Sequence, residues 1–122
     1  MNDFRGLDVW KEARDFRNKI NTLTKSFPNE EKFLLTNQLI RCSRSVTANI
    51  SEGHRRFHYQ ENIQFCRQVR GSLTETLDHL ICAFDNKYID ESTFNKMEVQ
   101  YTLILKLLNG YIAYLKKRKE ED

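Results

Sequence analysis

The stretch RCSRSVTANISEGHRRF, residues 41–57, decides how this chain folds. Cys42, Val46, Asn49 and Gly53 recur at alternating steps of four and three, with Ile50 alongside. That spacing stacks side chains along one face of an α-helix. The same seventeen residues hold four arginines and a single acid, Glu52. One helix therefore carries a packing seam together with positive charge that its own acids do not balance. Followed backwards, the seam continues through Leu39 and Leu35 to Phe27-Pro28, with Asn29 and Glu30-Glu31 suiting a first helical turn. A helix over about 29–55 follows.

Three more helices flank it. Trp10, Ala13, Phe16, Ile20 and Leu23 keep helical spacing and predict a helix over about 8–26, with Asp8 as N-cap and Phe27-Pro28 as its stop. A third is expected over 59–86, with Cys66, Leu73, Leu77, Leu80 and Phe84 inward, Phe65, Val69, Ser72 and Thr76 beside them, and Arg70 interrupting the seam. The fourth, over 91–118, opens at Asp90 or Ser92 and carries Phe94, Met97, Tyr101, Ile104, Leu108, Tyr111 and Leu115. Its tail, KKRKEED, suits a helix C-terminus in its basic half and is expected to fray in its acidic half. Short connections between long amphipathic helices favour antiparallel neighbours. The expected fold is all-α: an antiparallel up-down-up-down four-helix bundle forming a single domain over residues 1–122.

Composition agrees with that class. One Pro and four Gly in 122 residues leave few breakers for a turn-rich fold. Apolar runs fall far short of the roughly 20 residues that cross a bilayer, and the opening MNDFRGLDVWKEA is charged where a signal peptide is greasy, so a cytoplasmic location without membrane association is expected. Cys42, Cys66 and Cys82 form no CxxC pair and fall at or beside apolar helical positions, which reads as small buried thiols.

Enzymatic chemistry finds no support in the residues. A bundle di-iron site needs Glu-x-x-His, which does not occur; Glu75 with His79, and His54 with His58, come nearest. Ser43, Ser45 and Ser51 lie within a helical pattern, and the glycines are scattered singly, so neither a nucleophile elbow nor a phosphate loop is present. A protein without catalytic residues, metal or cofactor is expected.

Charge is the distinctive feature. The net charge is +3, yet residues 41–70 alone carry +4 from Arg41, Arg44, Arg55, Arg56, Arg67 and Arg70 against Glu52 and Glu61. Arg41 with Arg44, and Arg67 with Arg70, are like-charged pairs three apart on a helix, each costing up to about 0.5 kcal/mol unless compensated. Acids of the same chain, a neighbouring subunit or phosphate could supply the compensation, since the guanidinium fork suits carboxylate and phosphate alike. Phe57 and Tyr59, close to Arg55-Arg56, would offer stacking surfaces to a nucleic acid. Beside the apolar seam, Gln38, Arg41, Ser45, Ala48, Glu52 and Arg55 form a polar, small-residue stripe that reads as a second contact surface. Ser45, Ala48 and Gly71-Ser72 would let helices approach closely, and Asn49 and Glu52 could set register by hydrogen bonds.

Leu7, Val9-Trp10, Ala13, Phe27-Pro28, Glu31, Gln38, Arg41, Ser45, Asn49-Ile50, Glu52-Gly53, Arg56, Gly71-Ser72 and Glu75 together resemble the four-helix-bundle proteins encoded in 23S rRNA intervening sequences of bacteria. The likeness runs from residue 4 to about 82 and is most specific in SVTANISEG and GSLTE. Thr47 departs from it, standing where the family usually has Pro, as does Val69, where Ala is commoner. The resemblance implies a pentameric ring with a basic surface, and kinship to accessory proteins that assist reverse transcriptases in diversity-generating retroelements. Two functions stay open on this reading. One is a homo-oligomer binding RNA or DNA through the six arginines; the other is a structural or protein-interaction oligomer whose arginines pair across subunits.

Overall fold

A computed structural model describes residues 3–121, and all of its regular structure is helical. Four α-helices account for most of it: α1 Asp8–Leu23, α2 Leu35–His54, α3 Tyr59–Asp85 and α4 Glu91–Glu121. Short 3-10 turns stand at Phe4–Gly6, Thr24–Ser26 and Asn29–Glu31. Met1, Asn2 and Asp122, the ends of the expected domain, lie outside the described residues.

The periodic seams become the core. Trp10, Ala13, Phe16 and Ile20 of α1 are buried against Leu35, Leu39, Val46 and Ile50 of α2, Ile63, Cys66, Val69, Leu73 and Leu80 of α3, and Met97, Ile104, Leu108, Ile112 and Leu115 of α4. Each fully buried aliphatic or aromatic side chain contributes about 1.5–3 kcal/mol, and truncating one such as Ile20 to Ala would cost about 2–5 kcal/mol. Packing is mainly between α1 and α2, α2 and α3, α3 and α4, and α4 and α1.

Specific pairs set how the helices lie along one another. Ser45 meets Ser72 with hydroxyls 3.0 Å apart, and Cys42 meets Thr76 at 3.1 Å. Asn62 donates to the Tyr111 hydroxyl at 2.9 Å, Arg70 to Asn109 at 2.8 Å, and Phe84 stacks on Phe94 with centroids 5.2 Å apart. Between α1 and α4, buried Gln100 donates to Asp15 at 2.8 Å and accepts from Lys19 at 3.3 Å.

Several expectations need correcting. The second helix starts at Leu35, six residues later than expected: Asn29–Glu31 closes a 3-10 turn, and Leu34, with φ −116° and ψ −107°, breaks the path into α2. Tyr88 donating to Glu31 at 3.1 Å holds that turn in place. Thr24–Ser26 tightens into 3-10 form at the end of α1, whose N-cap is Leu7; Asp8 lies in the first turn, where its charge complements the helix dipole. Asp90, and not Ser92, caps α4, accepting from the Thr93 N–H at 2.7 Å. The tail stays helical through Glu121, tied to the start of α3 by Lys119 on Gln60 at 2.6 Å.

The α3 seam keeps Cys66, Leu73 and Leu80 buried as expected, with its centre displaced towards Val69 and Thr76. Asn62, Ile63, Val69, Thr76 and Ala83 are buried, while Leu77 and Phe84 are only half-buried and Arg70 points outward without interrupting anything. Thr76 tolerates complete burial because its hydroxyl bonds the Ser72 carbonyl at 2.7 Å. Cys42 and Cys66 are buried as expected, but Cys82 is exposed.

α3 ends in a tight reversal. The Tyr88 N–H bonds the Ala83 carbonyl and the Lys87 N–H the Phe84 carbonyl, both at 2.9 Å, with Lys87 itself at φ 63°. This is the Schellman arrangement, with a side chain in the left-handed position that usually holds Gly.

Candidate nucleic-acid interface

All six candidate arginines are exposed, but they do not converge. Arg44 lines a groove between α1 and α2. Arg41 and Arg55 share the outward side of α2 by helical phase, Arg55 at its C-cap. Arg56 folds back onto Glu52 at 2.8 Å and over the Phe65 ring at 4.9 Å. Arg70 reaches across to Asn109 of α4, with Arg67 one turn before it. Among the described residues, Arg56 is the one member of the six within ion-pair distance of a carboxylate.

The small-residue positions divide between packing and exposure. Gly53 is buried where α2 crosses α3, and a Cβ there would lie 2.6 Å from Asn62 Oδ1 and 2.8 Å from Phe65 Cβ. Ser45 and Ser72 form the hydroxyl pair of the same interface. Gly71 differs: it is exposed, and an added Cβ would meet nothing within 4 Å, so the close approach expected there does not occur within the chain. Gln38, Ala48 and Glu52 face outward, leaving most of the α2 stripe uncovered by the chain's own helices.

Asn49 and Glu52 do not set register between helices. Asn49 bonds the Ser45 carbonyl and hydroxyl within its own helix, both at 2.9 Å, and Glu52 is held by Arg56 four residues on. Register comes instead from Ser45 with Ser72 and Cys42 with Thr76.

Glu75 lies 3.7 Å from His79 Nε2, and His54 Nδ1 meets the Tyr111 hydroxyl at 3.3 Å, whereas His58 is exposed against Phe57. The two histidines are thus engaged with different neighbours. Among the described residues, no three His, Cys, Asp or Glu side chains gather as a metal site would require, and no helix is long and apolar enough to cross a membrane. Burial pushes the Cys66 thiol up to about 11 and raises Cys42 and Tyr111 as well, the opposite of an activated nucleophile. Phe57 is 91% exposed in the α2–α3 turn, while Tyr59 is half-buried beneath Arg118.

Two further arginines belong with Arg44. Arg17 crosses from α1 to donate to the Thr47 hydroxyl at 3.1 Å, and Arg14 lies over the Trp10 ring at 5.6 Å. Burial comes first, and then the charges of Arg14 and Arg44, in lowering the Arg17 pKa from its ordinary value. Arg14 and Arg17 stand outside the arginine-dense window at 41–70. Their signal in the sequence is a lone three-residue spacing with Asp15 between them.

Residues 5–110 match the family model described as 23S rRNA-intervening sequence protein. The chain is also similar to a crystal structure from Bacteroides thetaiotaomicron VPI-5482, described as a protein of unknown function from the S23 ribosomal protein family. Identity is 27%, with a TM-score of 0.78, over 85% of this chain and 97% of that one. No curated protein matches the chain.

Proposed function

Because the chain belongs to the 23S rRNA-intervening sequence protein family, we propose that it is a non-enzymatic homo-oligomer that binds RNA, or an RNA–DNA intermediate, through its exposed arginines. The observation that carries this reading is the exposure of Arg41, Arg44 and Arg55 along α2 with no carboxylate in ion-pair range among the described residues. Guanidinium groups so placed neutralise backbone phosphates and release counterions, giving salt-sensitive, weakly sequence-selective binding. The scaffold in this reading is the antiparallel up-down-up-down bundle. Cross-helix pairs that run in opposite order along successive helices support it, such as Ser45 with Ser72 and Cys42 with Thr76.

Assembly into a ring of five is part of the proposal and rests on the family likeness. Val99 and Leu103, one turn apart and outward on α4, support contact with a further protein surface, since apolar side chains in that pattern gain by being covered. These same residues favour the second reading, an oligomer that contacts only protein.

Fluorescence anisotropy with labelled RNA and DNA oligonucleotides, at about 50 and 200 mM salt, tests the first reading. Affinity should fall steeply with salt, and Arg41→Gln with Arg55→Gln should flatten the logarithmic salt slope by about 2. No binding at the lower salt, or a slope unchanged by these substitutions, overturns it. Solution mass with and without RNA separates the readings: an oligomer indifferent to RNA supports the protein-only one.

A further inference from the structure

We propose that the groove between α1 and α2 is a phosphate-binding seat in which Arg14, Arg17 and Arg44 hold the anion beside Trp10. The inference deepens the nucleic-acid reading by naming where a phosphate would sit, and it adds two arginines from α1.

The groove encloses about 570 Å³ and is lined by Trp10, Arg17, Arg44, Thr47 and Ser51 among others, with no Asp or Glu along it. Arg14 is not part of that lining, but it lies over the ring of Trp10, which is, and its charge acts on Arg17. Like charges do not gather beside a partly buried guanidinium unless something offsets the repulsion. Nearby acids of the chain are committed elsewhere. Asp15, between Arg14 and Arg17 in sequence, turns to Gln100 at 2.8 Å and Lys19 at 3.0 Å. Glu52, next to Ser51, is taken by Arg56 at 2.8 Å.

Arg17 is also aimed. Thr47, 4% exposed, donates its hydroxyl to the Arg44 carbonyl and accepts from Arg17 Nη1, both at 3.1 Å. Arg17 Nε also donates to Asn18 Oδ1 at 3.4 Å; both acceptors are neutral, so they orient the guanidinium without cancelling its charge and leave its Nη2 N–H groups for an anion. A phosphate suits three arginines better than a carboxylate, since its oxygens can serve more than one planar fork.

Trp10 is the chain's one tryptophan and lines the groove, so its emission reports on this site. The experiment titrates the full chain with a labelled RNA oligonucleotide and, separately, with tripolyphosphate, following anisotropy for the first and Trp10 emission for both. The variants are Arg17→Gln with Arg44→Gln, and Thr47→Val, which removes the acceptor but neither charge. The double variant should lose at least about tenfold in affinity per arginine, and Thr47→Val should lose less.

If RNA binds the native chain, moves Trp10 emission with the same midpoint, and is weakened by the double variant, the seat takes backbone phosphate. If RNA binds but the double variant matches native and Trp10 is silent, the groove proposal is overturned while the broader reading stands. If RNA does not bind, the broader reading fails. A Trp10 response to tripolyphosphate that the double variant abolishes then supports a seat for free polyphosphate, and no response overturns it. Should the double variant unfold, Arg44→Gln alone, at an exposed position, carries the same comparison.

Discussion

Gly53 of α2 lies so close to Asn62 of α3 that a Cβ on Gly53 would sit 2.6 Å from Asn62 Oδ1. The second obstacle, Phe65 Cβ at 2.8 Å, is anchored to its backbone and cannot swing aside. Gly53→Ala should therefore destabilise the fold by about 1–2 kcal/mol, since an overpacking cost of about 1–3 kcal/mol outweighs the gain in helix propensity of up to about 1. Gly71→Ala, into open space on α3, should instead stabilise by up to about 1 kcal/mol. Urea denaturation of both variants checks the opposite signs. A drop in oligomer mass on Gly71→Ala would show that the position is covered by another subunit.

Buried Gln100 joins α4 to α1 by donating to Asp15 at 2.8 Å and Glu12 Oε2 at 3.2 Å while accepting from Lys19 at 3.3 Å. Gln100→Leu keeps the volume and removes those bonds, and a loss of about 1–3 kcal/mol is expected because both side-chain acceptors are carboxylates. Thermal melts read the effect.

The three thiols should react in two classes. Cys82 is exposed, whereas Cys42 and Cys66 are buried and their thiols are pushed upward by that burial. A thiol reagent under native conditions should modify one cysteine per chain, Cys82, and reach the others only on unfolding. Rapid native labelling of Cys66, read by peptide mass spectrometry, would contradict this packing.

Stability should decline at both ends of the pH scale for identifiable reasons. The Asp15 carboxyl is lowered from 3.8 by its bond from Gln100 and then by Lys19, so its contribution is present above 3.8 and lost as pH falls through the folded value. The Cys66 thiol moves the other way, from 9.0 to about 11 through burial, so its contribution is present below 9.0 and lost as pH rises towards 11. Urea midpoints across pH test both: Cys66→Ala should shallow the alkaline decline, and Gln100→Leu the acid one.

Helix number and most core residues were legible because seams such as Leu35, Leu39, Cys42 and Val46 repeat without interruption. The edge of the α3 seam was less so: Thr76 was expected beside the seam, but buried Asn62 is polar and reveals its fitness only through its partner Tyr111. Asn29-Glu30-Glu31 has the chemistry of a helix start, and it is Tyr88, 57 residues away, that holds it as a separate turn. Charge counting along the chain found Arg44 but not Arg14 and Arg17. Their meeting with it depends on α1 lying across α2, which a count within one window cannot register.

Lys87 holds φ 63° at the reversal between α3 and α4, a conformation costing a residue with a side chain about 1–2 kcal/mol. Glycine would avoid that cost but lose about 0.5–1 kcal/mol to its freer unfolded chain, so Lys87→Gly should gain somewhat under 1 kcal/mol and lift the melting temperature by a few degrees. The corner linking the two longest rods is thus a place where heat resistance could be raised by one codon, without replacing any residue assigned to ligand contact.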